Sequence, residues 1–311
     1  MVSVIITTHN RAPSIVLRAV RSVLSQTYDE IEIIVVDDST SDYPYRDEVE
    51  RAIRQESATI RYIRHEENRG ACAARNTGLS YANGYYVAFL DDDDEWDPEK
   101  IEEELKGFTD DRIALVYSGV IVVYDVTGKK IKLRRGFQRG YVFDSLLCDN
   151  FIGGSSNPLI RKACIDQVGG FDEKMQSYQD YDLWLRIALQ YPVNYVEKPL
   201  LYYHIHDGIR ISTDANKKIQ GLERINEKYK EYIAQDRYTW YMRYRALVPY
   251  YREVYGCKRA LSLWTQCLLK QPLRFTKNMK HLVLILVGNQ VYTVMAVQRQ
   301  MLMNRVKNSD R

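Results

Sequence analysis

Strand and helix patterns alternate from the N-terminus to about residue 108, and that alternation leaves few folds open. "VSVIITT" (2–8) is a buried strand, and "PSIVLRAVRSVLSQ" (13–26) sets Ile15, Leu17, Val20, Val23 and Leu24 largely on one helical side. "IEIIVVDD" (31–38) is a second strand and "YRDEVERAIRQE" (45–56) a polar helix. "TIRYIRH" (59–65) and the small-residue helix "ACAARNTGLSYA" (71–82) follow. "YYVAFLDD" (85–92) and "PEKIEEELKGF" (98–108) complete the set. Such a βαβα succession predicts an α/β fold, a parallel sheet with helices on both faces. Ligands of such sheets bind outside the carboxyl ends of the strands.

Three clusters fall at that edge. Thr7, Thr8 and Asn10 follow the first strand, Asp37 and Asp38 end the second, and Asp91 to Asp94 end the fourth. Four adjacent carboxylates repel and raise one another's pKa, so the run demands compensation. Alone it also reads as the acidic start of a helix, with Asp97 as N-cap and Pro98 at N1. A second acidic cluster at the same edge favours a cation site, with hard oxygen ligands for Mg²⁺ or Mn²⁺ and phosphates as co-ligands. The matching ligand is a nucleotide, with Asp38 accepting from a base N–H or ribose hydroxyls. The dinucleotide fingerprint GxGxxG and the phosphate-loop pattern GxxxxGK[ST] are both absent. "VTGKK" (126–130) reads as a hairpin turn.

Hydrophobic residues make up 45% of the 311, enough for an ample core. Five scattered cysteines without a CxxC pair predict reduced thiols rather than a zinc site or a disulfide framework. The first residues carry no basic, signal-like region, so a cytoplasmic protein is expected. The net charge of +3 hides an asymmetry. Residues 215–311 hold 19 Lys+Arg against 6 Asp+Glu, a net of +13, which leaves −10 for residues 1–214. A basic stretch of this kind suits nucleic acid, an anionic membrane or an acidic partner.

Four segments in this order carry a resemblance: "VSVIITTHNR", "SVLSQTYDEIEIIVVDDSTSD", "ENRGACAARNTGLSYANGYYVAFLDDDDEWDPEKI" and "GGFDEKMQSYQDYDLWLRI". Over roughly residues 1–210 the chain closely resembles the family 2 glycosyltransferases, inverting enzymes of the GT-A fold. The resemblance implies a nucleotide-sugar donor, with UDP-sugar expected, and a single displacement at the anomeric carbon. It implies that Thr7 and Asp38 hold the nucleoside and that Arg69 and Arg75 line the nucleotide pocket. The resemblance implies that Asp91, Asp93 and Asp94 fall on the DxD-type motif that contacts ribose and metal, with Asp91 and Asp93 among the nucleotide-binding residues and Asp92 where the family often has a small residue. Asp93 or Asp94 is then the expected ligand of Mn²⁺ or Mg²⁺. The cation would neutralise charge on the leaving diphosphate.

The resemblance also places the general base in "YQDYDLWLRIALQ" (178–190), where Asp180 matches the second member of a Glu-Asp pair and Gln179 stands for the Glu. A plain N-cap aspartate is the alternative on this stretch alone, and Asp182 is the second choice for the base. His206 falls where some relatives complete the metal site, and His204 stands where an arginine is common. "NFIGGSSNPLIRK" (150–162) is either an acceptor-side wall or an ordinary loop into a strand.

The expected organisation is a GT-A catalytic domain over 1–214, with a nucleotide-binding half to about 110 and an acceptor-binding half beyond it. A basic helical region over 215–311 follows. There, "GLERINEKYKEYIAQDRYTWYMRYRALVPYYREVYG" (221–256) reads as helix broken or kinked at Pro249, and "KRALSLWTQCLLKQP" (258–272) as another. "HLVLILVGNQVYTVMAVQRQM" (281–301) is apolar but interrupted, too short for a confident span. Its basic flanks suit contact with an anionic membrane at the inner face of the cell membrane. Packing on the core, or a homo-oligomer through these helices, is the competing expectation. The acceptor expected is a hydroxyl of a surface glycan or a lipid-linked glycan. Two other classes stay open: a nucleotide-sugar or carbohydrate binder without turnover, and a nucleic-acid binder using the basic tail. No nucleic acid is expected, because tyrosines at helical spacing are usually packing residues.

Overall fold

The computed structural model describes residues 1–133, 136–205, 214–272 and 275–287. The chain divides into two compact units, one of residues 1–175 with 179–208, the other of 176–178 with 209–311.

The first unit is built on a mixed nine-stranded sheet. Its parallel core joins β1 (Val2–Thr8), β2 (Ile31–Asp37), β3 (Arg61–Arg64) and β4 (Tyr86–Asp91) in the spatial order β3-β2-β1-β4. The helices between them are α1 (Pro13–Leu24), α2 (Arg46–Glu56) and α3 (Ala71–Tyr81). The strands read as continuous apolar runs because helices cover them. Val4, Ile6, Val35, Ala88 and Leu90 pack with Val16, Val20 and Ile53 in one core. α3 is made of small residues for a reason of space. A Cβ on Gly78 would lie 2.3 Å from Ile5 Cγ2, so β1 and the helix meet nearly backbone to side chain.

Register sets the functional edge. Thr8 pairs with Asp37, and Thr7 with Asp91, across the two neighbours of β1. The three clusters read from the sequence therefore end level with one another.

Beyond β4 the sheet departs from the parallel expectation. The spatial order runs β4-β8-β6-β9-β5, with β8 (Leu159–Arg161) antiparallel to both β4 and β6 (Leu115–Tyr124). β9 (Val193–Ile205) runs parallel to β6. The two-residue β5 (Glu95–Trp96) pairs antiparallel with β9. β7 (Lys129–Leu133) forms with β6 the hairpin read from "VTGKK", with Gly128 at φ 64° in its turn. Helices α4 (Lys100–Lys106), α5 (Phe143–Cys148), α6 (Lys162–Val168) and α7 (Gln179–Gln190) fill the second half. Asp97 does not cap α4. The cap position is Glu99, and Asp97 instead accepts the Glu99 N–H at 3.1 Å in a turn one step earlier.

The second unit is helical: α8 (Ala215–Lys228), α9 (Lys230–Gln235), α10 (Arg237–Arg245), α11 (Val248–Lys270) and α12 (Phe275–Val287). The helical run breaks at residues 246–247, with Pro249 in the first turn of α11 as expected, and a further kink falls at Gly256, at φ 79°. Ile219, Leu222, Leu247, Val248, Ala260, Leu263 and Ile285 form its core. Asp214 and Asp236 cap α8 and α10 by accepting the N–H of Lys217 and Thr239. The aromatics of "RYTWYMRYR" are packing residues: Tyr241 is fully buried, and Trp240 stacks on Tyr244 with ring centroids 4.3 Å apart. Among the described residues no helix is long and apolar enough to cross a membrane.

Candidate active site

Asp38 follows β2 and is buried. Its carboxylate accepts from the backbone N–H of Arg69 and Gly70 at 2.8 Å each, and from Asn68 Nδ2 at 3.1 Å. His65 Nδ1 lies 2.7 Å away. Asp38 thus fixes the segment leading into α3, where Gly70 adopts φ 88°. The Arg69 side chain is exposed beside this anchor, and Thr7 stays half-buried next to Asp91 in register. Asp37, its neighbour in sequence, is tied to Arg46 at 2.8 Å and to the Tyr62 hydroxyl at 3.0 Å.

The four side chains of the aspartate run take separate partners. Asp91 accepts from Arg75 Nη2 at 2.7 Å and from Ser155 Oγ at 3.0 Å. Asp92 accepts from Thr8 Oγ1 at 2.7 Å and Arg11 Nε at 3.0 Å. Asp93 accepts from Arg11 Nη2 at 2.8 Å. Asp94, 1% exposed, accepts the His204 backbone N–H at 3.2 Å. Two guanidiniums therefore compensate three of the four carboxylates. Burial pushes Asp92 up to about 6, against the pull of Arg11 and Thr8. Asp94 is raised well above the ordinary carboxylate range, first by burial and then by Asp91 and Asp93.

Arg75 is the hinge between the two halves of the site. It rises from α3, is 8% exposed, and lies over the Phe171 ring. Its Nη2 holds Asp91 and its Nη1 donates to Gln179 Oε1 at 3.0 Å. The strand that carries the aspartates and the helix that carries Asp180 are thereby pinned by one side chain. Asp180 stands in the first turn of α7, beside the segment of Gly154. A Cβ on Gly154 would come to 3.7 Å of Asp180 Oδ2. Burial raises Asp180 to about 6, with Asp91 adding to the shift and Arg75 opposing it. An ordinary carboxylate pKa, the expectation for an exposed helix cap, does not apply there.

Asp182 is fully buried and bound to Arg186 at 2.9 Å, which in turn donates to the Val168 carbonyl. It braces α7 and has no open side. His204 is buried too, with Nδ1 2.6 Å from Asp125. His206 lies outside the described residues.

Sequence reasoning missed three groups. Arg11, four residues past Thr7, is the cation on Asp92 and Asp93. Ser155 Oγ donates to Asp91, and Ser156 Oγ accepts the Asp91 backbone N–H at 3.1 Å. The "GGSSN" stretch was legible as a loop but not as the brace of an aspartate on β4. The only sequence signal available was complementarity: a run of four acids needs cations, and Arg11 is the nearest one to the β1 edge.

The donor atoms of these residues decide what cation they could hold. Among the described residues no three His, Cys, Asp or Glu side chains converge as a metal cage. A hard ion that draws its other ligands from a diphosphate needs only one or two carboxylates. Asp91 and Asp93 are the two members of the run that keep partial exposure, so the donor set fits a substrate-assisted site and not an all-protein one.

The family model "Glycosyl transferase family 2" matches residues 3–169. An uncharacterised glycosyltransferase of Rickettsia felis is 32% identical over 239 residues, which cover 76% of this chain; the chain spans 38% of that relative's length. The amylovoran biosynthesis glycosyltransferase AmsB of Erwinia amylovora is 31% identical over 212 residues, 65% of this chain and 69% of AmsB. Among solved structures, TarS of S. aureus (residues 1–349, in complex with UDP-GlcNAc) superposes with a TM-score of 0.61 at 17% identity. That match covers 81% of this chain and 73% of the TarS 1–349 chain, and at this identity it speaks for the fold, GT-A in type. Motif order, sheet register and family match agree: the chain belongs to glycosyl transferase family 2.

Proposed function

We propose that this chain moves a sugar from a nucleotide-sugar donor, a UDP-sugar in class, to a hydroxyl of a surface glycan or lipid-linked acceptor with inversion. The observation that carries the reading is Arg75. It ties Asp91, at the carboxyl edge of β4, to the first turn of the helix bearing Asp180. Donor-side and base-side carboxylates are thus set in one site. AmsB's role in amylovoran biosynthesis supports the polysaccharide setting, and the UDP-GlcNAc seen in TarS supports the donor class.

In this mechanism Thr7, Asp38, Arg69 and Arg75 make up the nucleotide side. Asp38 works by anchoring the backbone of Arg69 and Gly70, which frees the Arg69 side chain for the ligand. Asp93 or Asp94 would hold Mn²⁺ or Mg²⁺, with His206 added on the family resemblance alone, and the ion when bound would supply Lewis-acid stabilisation of the leaving diphosphate. Asp180 takes the proton from the acceptor hydroxyl. An alcohol is a poor nucleophile near neutral pH, and a base at about 6 is both ionised and strong enough to help. The second unit, with its basic surplus, carries the chain to an anionic membrane where a lipid-linked acceptor resides.

The test is nucleotide release from UDP-, GDP- and dTDP-sugars with Mn²⁺ or Mg²⁺. Release from one nucleotide class supports the reading. No release and no binding across the whole panel overturns it in favour of a carbohydrate binder.

A further inference from the structure

Arg11 has no role in the donor chemistry proposed above, yet it occupies Asp93, a carboxylate that chemistry needs. It lies between β1 and α1, 24% exposed at the side chain. Its Nε sits on Asp92 and its Nη2 on Asp93. The two carboxylates differ in kind. Asp92 is buried and doubly held, by Arg11 and by the Thr8 hydroxyl. Asp93 keeps 19% of its side chain exposed. The backbone carbonyl of Asp93 is separately tied to Arg18 Nη2 at 2.6 Å, so the segment stays in place if Arg11 moves.

An arginine carries five N–H donors in a planar fork that matches both carboxylate and phosphate oxygens. Two of them, on Nε and Nη2, serve the aspartates here. A divalent ion and a guanidinium on the same carboxylate repel one another, so each weakens the other's hold on Asp93. Asp92 offers Arg11 a fixed pivot through Nε. Only the Nη end has to change partner.

We propose that Arg11 is a diphosphate-binding residue that rests on Asp93 while no donor is bound. An incoming divalent cation takes Asp93, and the released Nη fork, still anchored on Asp92, takes a phosphate oxygen of the donor. Arg11 thereby makes cation and diphosphate arrive together. The cation alone meets a competitor already seated, and the diphosphate alone meets an arginine already engaged. The inference rests on the proposed donor chemistry.

The experiment is calorimetry on the full chain with Mn²⁺ alone, UDP alone and both together, for wild type, Arg11→Gln and Arg11→Lys. Thermal melting checks that each variant is folded. Wild type should bind Mn²⁺ alone weakly and UDP with strong positive coupling to Mn²⁺. Arg11→Gln should bind Mn²⁺ alone ~10-fold tighter, bind UDP with Mn²⁺ ~10-fold more weakly, and so lose most of the coupling. Arg11→Lys keeps the charge but not the fork, and should also admit Mn²⁺ more tightly than wild type. If Arg11→Gln does not fold, Arg11→Lys decides the question. Unchanged or weaker Mn²⁺ affinity in the folded variant overturns the proposal, as does unchanged UDP affinity. Wild-type protein that binds neither UDP, GDP nor dTDP with Mn²⁺ would instead overturn the donor reading itself.

Discussion

Asp180 carries two separate consequences of one shift. Its folded pKa of about 6 lies above the ordinary aspartate value of 3.8, because burial disfavours the charged form. In the proposed role of base it must be ionised, so transfer should fall as pH drops through about 6 and level off above it. A pH–rate profile flat from pH 8 to 5 would contradict this. For stability the sign is the reverse of a salt-bridged aspartate. The folded state binds the proton more tightly than the unfolded state, so this group lowers stability as pH rises from about 4 through 6. Asp180→Asn should therefore stabilise the chain near pH 7.5, by on the order of 1 kcal/mol once partial exposure is allowed for, and by little at pH 4. Urea unfolding at the two pH values checks it. Its place at the head of α7 was legible from the helical pattern, but its environment was not. Burial beside Asp91 is a product of tertiary packing, and nothing local in "SYQDYD" encodes it. Arg11 was illegible for the same reason: its partners lie more than 80 positions away.

At the scale of elements, the brace behind the aspartates is the part the sequence hid. The loop before β8 holds Asp91 through Ser155 and Ser156. That loop is in turn held from beneath. Trp96 Nε1 donates to the Ser156 carbonyl at 2.8 Å, and Lys100 Nζ donates to the Asn157 carbonyl. Lys100 and Glu104, one turn apart on α4, form an ion pair with both side chains fully buried. Burial drives both toward neutrality, Glu104 up to about 7 and Lys100 down. Desolvation cancels most of what such a pair gains, so its value is in position rather than stability. Removing one partner is another matter. Lys100→Met should cost about 3–5 kcal/mol by stranding Glu104. Adding Glu104→Leu should restore most of that stability, yet leave donor binding weakened because the Asn157 carbonyl has lost its donor. A double variant with both stability and donor affinity of wild type would show that the pair does not position the site. In the sequence, "EKIEEELK" reads as a solvated amphipathic helix, and its charge gave no hint that one Lys–Glu pair is internal.

Across the whole molecule, the parallel half was legible, and beyond it only the β6–β7 hairpin was. β1 to β4 announce themselves by period, length and intervening helices. β8, with three residues, and β5, with two, are too short for any periodic signal, and they place their pairing through contacts far along the chain. The helical unit was read as helix with a break at Pro249, which falls in the first turn of α11, but the kink at Gly256 was not read. Its exposed α11 segment holds Lys258, Arg259 and Lys270 with Leu261 and Leu269 and no carboxylate beyond Glu253. Liposome co-sedimentation should then require acidic lipid and weaken as salt shortens the Debye length. Equal pelleting with neutral vesicles, or none with acidic ones, contradicts membrane recruitment. The central claim is that one site binds a nucleotide-sugar and uses Asp180 to activate the acceptor. Its most direct test sets donor affinity beside transfer rate for wild type and Asp180→Asn. The account predicts donor affinity within about twofold of wild type and transfer lower by about 10²–10⁴-fold. Wild-type transfer by Asp180→Asn, or loss of donor binding together with activity, would contradict it.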